Sequence, residues 1–150
     1  MKRILLYIVL ILGLSSILFA MNSRFIRDDA NAVVLDTATN LLWQDDDAVA
    51  DDTTSYTWGD AIGYCEDLNI SGFEDWYLPN INELQTIVDF GSYNAANYED
   101  FWKIINGYYW TSTTSFDPNR ALYINFYNGQ DGNAPKTSTY YVRCVRKVDN

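Results

Sequence analysis

The stretch Asp75-Trp76-Tyr77-Leu78-Pro79-Asn80-Ile81-Asn82-Glu83-Leu84 decides how this 150-residue chain is read. Pro79 steers Leu78 away from helical geometry, so residues 76–79 are expected to form an extended connector. Asn80 is a good helix cap, and Glu83 stands three residues on, at capping-box spacing. Ile81, Leu84, Ile87 and Val88 then fall on one helical face. Gly91 is placed to end that helix.

Upstream, Thr57 and Asp60 repeat the capping spacing with a weaker acidic partner. Trp58, Ala61, Ile62, Cys65 and Leu68 make a second apolar stripe at helical period, closed by Ser71-Gly72. Further back, Phe25-Ile26-Arg27, Val33-Val34-Leu35 and Leu41-Leu42-Trp43-Gln44 read as short strands around the polar turn Asp36 to Asn40. Residues 45–55 are acidic and show neither period, which predicts an exposed loop. Downstream, residues 92–108 read as irregular. Tyr109 to Thr113 and Ala121 to Tyr127 read as strands, the second with Leu122, Ile124 and Phe126 on one face. Residues 128–139 read as a long polar loop, and Tyr140 to Val148 as the closing strand. Strands, two helices, then strands again make an α+β domain with an antiparallel sheet, not a βαβ repeat.

Residues 1–20 begin Met1-Lys2-Arg3 and continue in an almost wholly apolar run to Ala20, the pattern of an export signal. Leu18 is large for the −3 position of a cleavage site, so the expectation is either cleavage near Ala20 or an uncleaved membrane anchor. The exported unit is then 21–150. Lys2 and Arg3 leave with the leader, which takes the formal charge from −10 to −12. Such a surface excludes wrapping nucleic acid. The chain has no histidine, which removes Ser-His-Asp catalysis, His-bearing zinc sites and a histidine proton switch. Twelve Tyr, seven Phe and five Trp argue against disorder. Outside the cytoplasm the two cysteines, Cys65 and Cys144, have one possible intrachain bridge; two buried free thiols are the alternative. The bridge would tie the first helix to the closing strand, which suits a sheet that brings first and last strands together.

Four stretches together carry a family resemblance. They are Asp36-x-x-Thr39-Asn40-Leu41-Leu42-Trp43-Gln44; Thr57-Trp58-x-x-Ala61-x-x-Tyr64-Cys65; Asp75 to Leu84; and Tyr109-Trp110-Thr111-Ser112-Thr113 with Val142-Arg143-Cys144-Val145-Arg146. In order and spacing they resemble the Legionella collagen-like protein C-terminal domain family, over roughly residues 33–147. The resemblance implies a C-type-lectin-like fold: a twisted antiparallel sheet, two helices and long irregular loops. It also implies an exported or cell-surface bacterial protein and a recognition role, with no catalytic residues to carry over. The family's name-giving adhesin binds sulfated glycans. This chain has no collagen-like repeat, and it has Tyr77 where the family pattern commonly has Arg. Its acidity also disfavours a polyanion.

The expected function is therefore an exported, non-catalytic recognition module in the periplasm or at the cell surface. Its partner would be a glycan or an envelope protein, with no nucleic acid and no membrane contact beyond an uncleaved leader. A structural domain of an envelope assembly is the alternative. A hydrolase is the remoter one, since twenty carboxylates supply acid pairs by chance. Candidate ligand residues are Tyr123, Asn125, Tyr127, Asn128, Asp131, Tyr140 and Tyr141, aromatic, amide and carboxylate groups in or beside the polar loop. The only cofactor suggested is calcium, at Asp45, Asp47, Asp51 and Asp52, although their spacing is not that of an EF-hand. A solvated acidic loop is the plainer reading. Trp43, Trp58, Trp76 and Trp110 are read as core. Asp75 is read as accepting buried hydrogen bonds or pairing with Arg143.

Overall fold

A computed structural model describes residues 23–50, 53–91, 100–101 and 104–148. The leader, Asp51 and Asp52, and residues 92–99 and 102–103 of the irregular stretch lie outside the described residues. Three short strands open the fold: β1 (Phe25–Asp28), β2 (Val33–Asp36) and β3 (Leu41–Gln44). A 3₁₀ turn, Asp47–Ala50, leads to helix α1 (Trp58–Glu66) and then α2 (Ile81–Gln85). Strands β4 (Tyr108–Thr114), β5 (Arg120–Asn125), β6 (Gln130–Pro135) and β7 (Val145–Lys147) complete it.

The strands form two antiparallel sheets, ordered β1-β2-β3-β7 and β4-β5-β6, so the domain is α+β. The last strand pairs with β3, while β1 lies at the opposite edge of that sheet. First and last strands are thus brought into one sheet, as expected, with β2 and β3 between them. The segment before β7 joins the two sheets. Tyr141 donates its N–H to the Tyr108 carbonyl at 2.9 Å, and its own carbonyl accepts from Trp110 N at 3.0 Å. Four residues on, Val145 exchanges two backbone hydrogen bonds with Tyr77 of the connector.

Period-2 alternation sorts the side chains of the first sheet. Val34, Trp43 and Val145 form a cross-strand row on one face. That row packs with Leu84, Ile87, Phe101, Tyr109, Ile124 and Phe126 in one core cluster. The opposite face contributes Val33 and Leu42 to a second cluster around Cys65, Trp76, Leu78, Trp110 and Cys144. Trp43, Trp76 and Trp110 are buried as expected. Trp58 is half-buried, with the Lys136 ammonium 4.0 Å above its ring. The Cys65–Cys144 disulfide is present, with both cysteines fully buried.

Both caps form. Asn80 Oδ1 accepts from Glu83 N, and Glu83 Oε2 accepts from Asn80 N, each at 2.9 Å. Thr57 Oγ1 accepts from Asp60 N. The α2 helix ends at Gln85, well before Gly91. Thr86, Ile87 and Val88 each bond to the carbonyl three residues back, so the last turn tightens. The tightening still buries Ile87 and Val88 as the periodicity requires.

Two further expectations are corrected. Residues 130–135 form strand β6, not loop. Gln-Asp-Gly-Asn-Ala-Pro has a single buried apolar side chain, Ala134, so no hydrophobic alternation announces it. It is an edge strand, where polar residues and a terminal proline blunt further pairing. Gly129, at φ +76°, makes the turn that returns it onto β5. Asp75 pairs with Arg146, at 2.6 and 3.0 Å, and is exposed. Arg143 is instead buried against Asp45.

The disulfide closes a loop of sequence separation 79. Chain-entropy reasoning assigns such a loop roughly 4–5 kcal/mol. Replacing both cysteines by alanine should lower the unfolding free energy by about 2–5 kcal/mol, read from guanidinium melts. A midpoint unchanged by the double replacement, or by reduction, would show that the bridge constrains nothing.

Candidate functional site

Strand register builds an aromatic surface on the second sheet. Tyr108 lies opposite Asn125 and Trp110 opposite Tyr123, so these four side chains share a face. Gly132 of β6 lies opposite Tyr123. A Cβ there would stand 2.5 Å from the Tyr123 hydroxyl oxygen, so the missing side chain lets that ring lie across the strand. The bridge from Tyr56 delivers Tyr140 to the same surface, through Tyr56 N to Tyr140 O at 2.9 Å and Tyr140 N to Tyr56 O at 3.0 Å.

The three tyrosines pack mutually. Ring centroids are 5.1 Å apart for Tyr108–Tyr123 and for Tyr108–Tyr140, and 5.2 Å for Tyr123–Tyr140. Trp110 supports them from below, 4.5 Å from Tyr140, and its indole N–H donates to the Tyr56 carbonyl at 2.9 Å. Edge-on and tilted contacts of this kind hold ring orientations firmly. Tyr108 is 43% exposed, Tyr123 and Tyr140 half-buried. The result is a rigid, shallow platform.

The candidate ligand residues separate into three places. Tyr123, Asn125 and Tyr140 belong to the platform. Tyr127 and Asn128 sit at the hairpin tip, where Asn125 Oδ1 accepts from Tyr127 N at 2.9 Å and Asn128 Oδ1 from Gln130 N at 3.1 Å. Asp131, opposite Ile124, points to the other face. Tyr141 is also on that side, stacked on Tyr109 at 5.5 Å and lying against Gly107. Tyr108, which the sequence reading passed over, is the most exposed of the platform tyrosines. Its signal was the alternation Tyr108, Trp110 against Tyr109, Thr111.

The acidic segment divides as well. Asp45 is buried: Oδ1 accepts from Arg143 Nη1 at 2.7 Å, and Oδ2 contacts Arg27 Nη1. Both its oxygens are therefore engaged by arginine, and it leaves the solvated run. Asp47 is exposed on the 3₁₀ turn, and Asp51 and Asp52 lie outside the described residues. Among the described residues no three His, Cys, Asp or Glu converge as metal ligands.

Burial raises the pKa of Tyr140, and its neighbours Tyr123 and Tyr108 add to the shift while Arg120 opposes it. Burial also raises Tyr64, Tyr77 and Tyr109; a hydrogen bond from the Tyr77 hydroxyl to Glu83 reinforces the second of these. All four phenols are neutral at pH 7, so they act by stacking and hydrogen bonding.

The family model described as the Lcl C-terminal domain matches residues 32–146, the span in which the four motifs lie. None of the curated proteins matches the chain.

The raised tyrosines set an alkaline limit on stability. Above about pH 10 the unfolded chain loses phenolic protons that the fold retains, so the unfolded state is favoured. Stability should be intact below that pH and fall as the pH climbs toward the folded values. Phenolate absorbance at 295 nm should therefore rise together with loss of circular dichroism. Titration of these phenols in a fully folded protein at pH 10 would contradict the packing described.

Proposed function

We propose, for a chain that belongs to the Lcl C-terminal domain family, that residues 21–150 form an exported, non-catalytic recognition domain that binds glycan at the bacterial envelope. In this reading the two sheets and two helices are a C-type-lectin-like arrangement. The observation that carries it is the exposed, pre-oriented platform of Tyr108, Tyr123 and Tyr140. A sugar presents an apolar face of C–H groups, and a fixed aromatic ring receives that face with little ordering cost. Asn125 beside Tyr108 supplies a polar side chain at the platform's edge. The net charge favours a neutral or cationic saccharide over a sulfated one. Calcium remains part of the proposal through Asp47, Asp51 and Asp52 and is tested with it.

Glycan-array binding of the exported protein, with and without calcium, tests this reading. Tyr108→Ala should weaken binding about tenfold, equivalent to ~1.4 kcal/mol, while the protein stays folded. A blank array in both conditions would overturn it.

A second reading, a structural or assembly domain of an envelope complex, is favoured by Phe116. This side chain is fully exposed on the β4–β5 turn. The turn is pinned by Ser115 N to Arg120 O at 3.0 Å and Asn119 N to Asp117 Oδ1 at 2.9 Å. A large apolar group held out by a tight turn resembles the aromatic anchors of protein interfaces. Crosslinking in intact cells should then capture a partner that Phe116→Ser loses; an identical crosslink pattern for the variant would count against this surface.

A further inference from the structure

A shallow, open cleft of about 510 Å³ runs along α1, and none of Tyr108, Tyr123 and Tyr140 lines it. Tyr56 and Tyr64 line it, with ring centroids 4.8 Å apart and planes tilted by 31°. Asp60 and Asp67 line it too, and no Lys or Arg is among the described lining residues. Both rings are held from behind. The Tyr64 hydroxyl accepts from Gln44 Nε2 at 2.8 Å, and Gln44, itself buried, accepts from Cys144 N at 3.1 Å through Oε1. Tyr56 is fixed by its two backbone bonds to Tyr140.

The helix backbone is bare along this cleft at Gly59 and Gly63, one turn apart. A Cβ at either position meets nothing within 4 Å, and neither glycine has positive φ. The chain's own packing therefore does not require glycine there, although glycine weakens a helix interior. What a side chain would obstruct is the cleft. Asp60 Oδ2 accepts only from the Thr57 hydroxyl, at 2.6 Å, among the hydrogen bonds described. Aromatic rings beside carboxylates that no lining Lys or Arg neutralises are the chemistry of cation recognition, and the negative field of the whole domain concentrates cations.

We propose that this cleft binds an alkylammonium group, the cation against Tyr56 and Tyr64 and its charge balanced by Asp60 and Asp67. The occupant is a quaternary ammonium or the primary ammonium of an amino sugar or polyamine. The site shares the Tyr56–Tyr140 backbone bridge with the platform, but Tyr108 and Tyr123 are not among its lining residues.

The test is calorimetric titration of the protein, expressed with its leader and purified as exported. The probes are choline against its uncharged isostere 3,3-dimethylbutanol, and glucosamine against glucose, at constant ionic strength. Saturable binding of choline or glucosamine is expected, at least tenfold tighter than that of its neutral counterpart; which of the two binds identifies the source. Asp67→Asn should weaken binding about tenfold. Gly63→Leu should abolish it without lowering the melting temperature, and Tyr108→Ala should leave it unchanged. No saturation by either cation, equal binding of charged and neutral probes, or wild-type binding by Gly63→Leu would each overturn the proposal.

Discussion

Two dipeptides, Gln44-Asp45 and Arg143-Cys144, meet in the interior, and the rest of the fold depends on their contact. Arg143 Nη1 donates to both the Gln44 carbonyl and Asp45 Oδ1 at 2.7 Å. Gln44 N donates to the Cys144 carbonyl at 3.0 Å, and the Gln44 side chain accepts from Cys144 N. Cys144 is bonded in turn to Cys65 of α1. A guanidinium and a carboxylate removed from water are costly unless each finds the other. Any other register of the closing segment strands a buried charge. The junction thus selects the alignment in which β7 reaches β3, Tyr141 bridges to β4 and Tyr140 reaches the platform.

Both aromatic surfaces inherit their rigidity from this junction. Gln44 holds the Tyr64 hydroxyl on one side. On the other, the segment that leads into Arg143 carries Tyr140 and Tyr141 to opposite sides of β4. Recognition surfaces built on fixed elements lose less ordering entropy on binding than surfaces on loops. A shallow tyrosine platform in this domain is therefore a suitable place for weak, specific contacts.

Much of the fold was legible in the residues because local signals and burial agreed. The Asn80–Glu83 capping box, the Trp58-to-Leu68 stripe and the strand at Leu41 to Gln44 each state their structure in their spacing. β6 was illegible because an edge strand with one buried side chain carries no alternation. Asp45 was illegible because a run of aspartates reads as solvent-facing, and only the tertiary approach of Arg27 and Arg143 separates its first member. Asp75 lost its expected partner for the same reason: Arg143 was already committed. For the candidate site, residue type pointed to tyrosines, but not to which ones meet. Tyr140 and Tyr141 are adjacent in sequence yet serve opposite faces, and Tyr56 comes to the cleft only through its bridge to Tyr140.

A double-mutant cycle on Asp45 and Arg143 tests the central role of the junction most directly. Asp45→Asn should cost about 3–5 kcal/mol in denaturant unfolding, because it leaves the buried Arg143 without its carboxylate. Arg143→Met should cost less, because Asp45 Oδ2 keeps Arg27. The double variant should cost clearly less than the two together, with near-UV circular dichroism of the tyrosine cluster altered in both singles. Additivity within about 0.5 kcal/mol would contradict the account, since it would mean that the two residues do not act on each other.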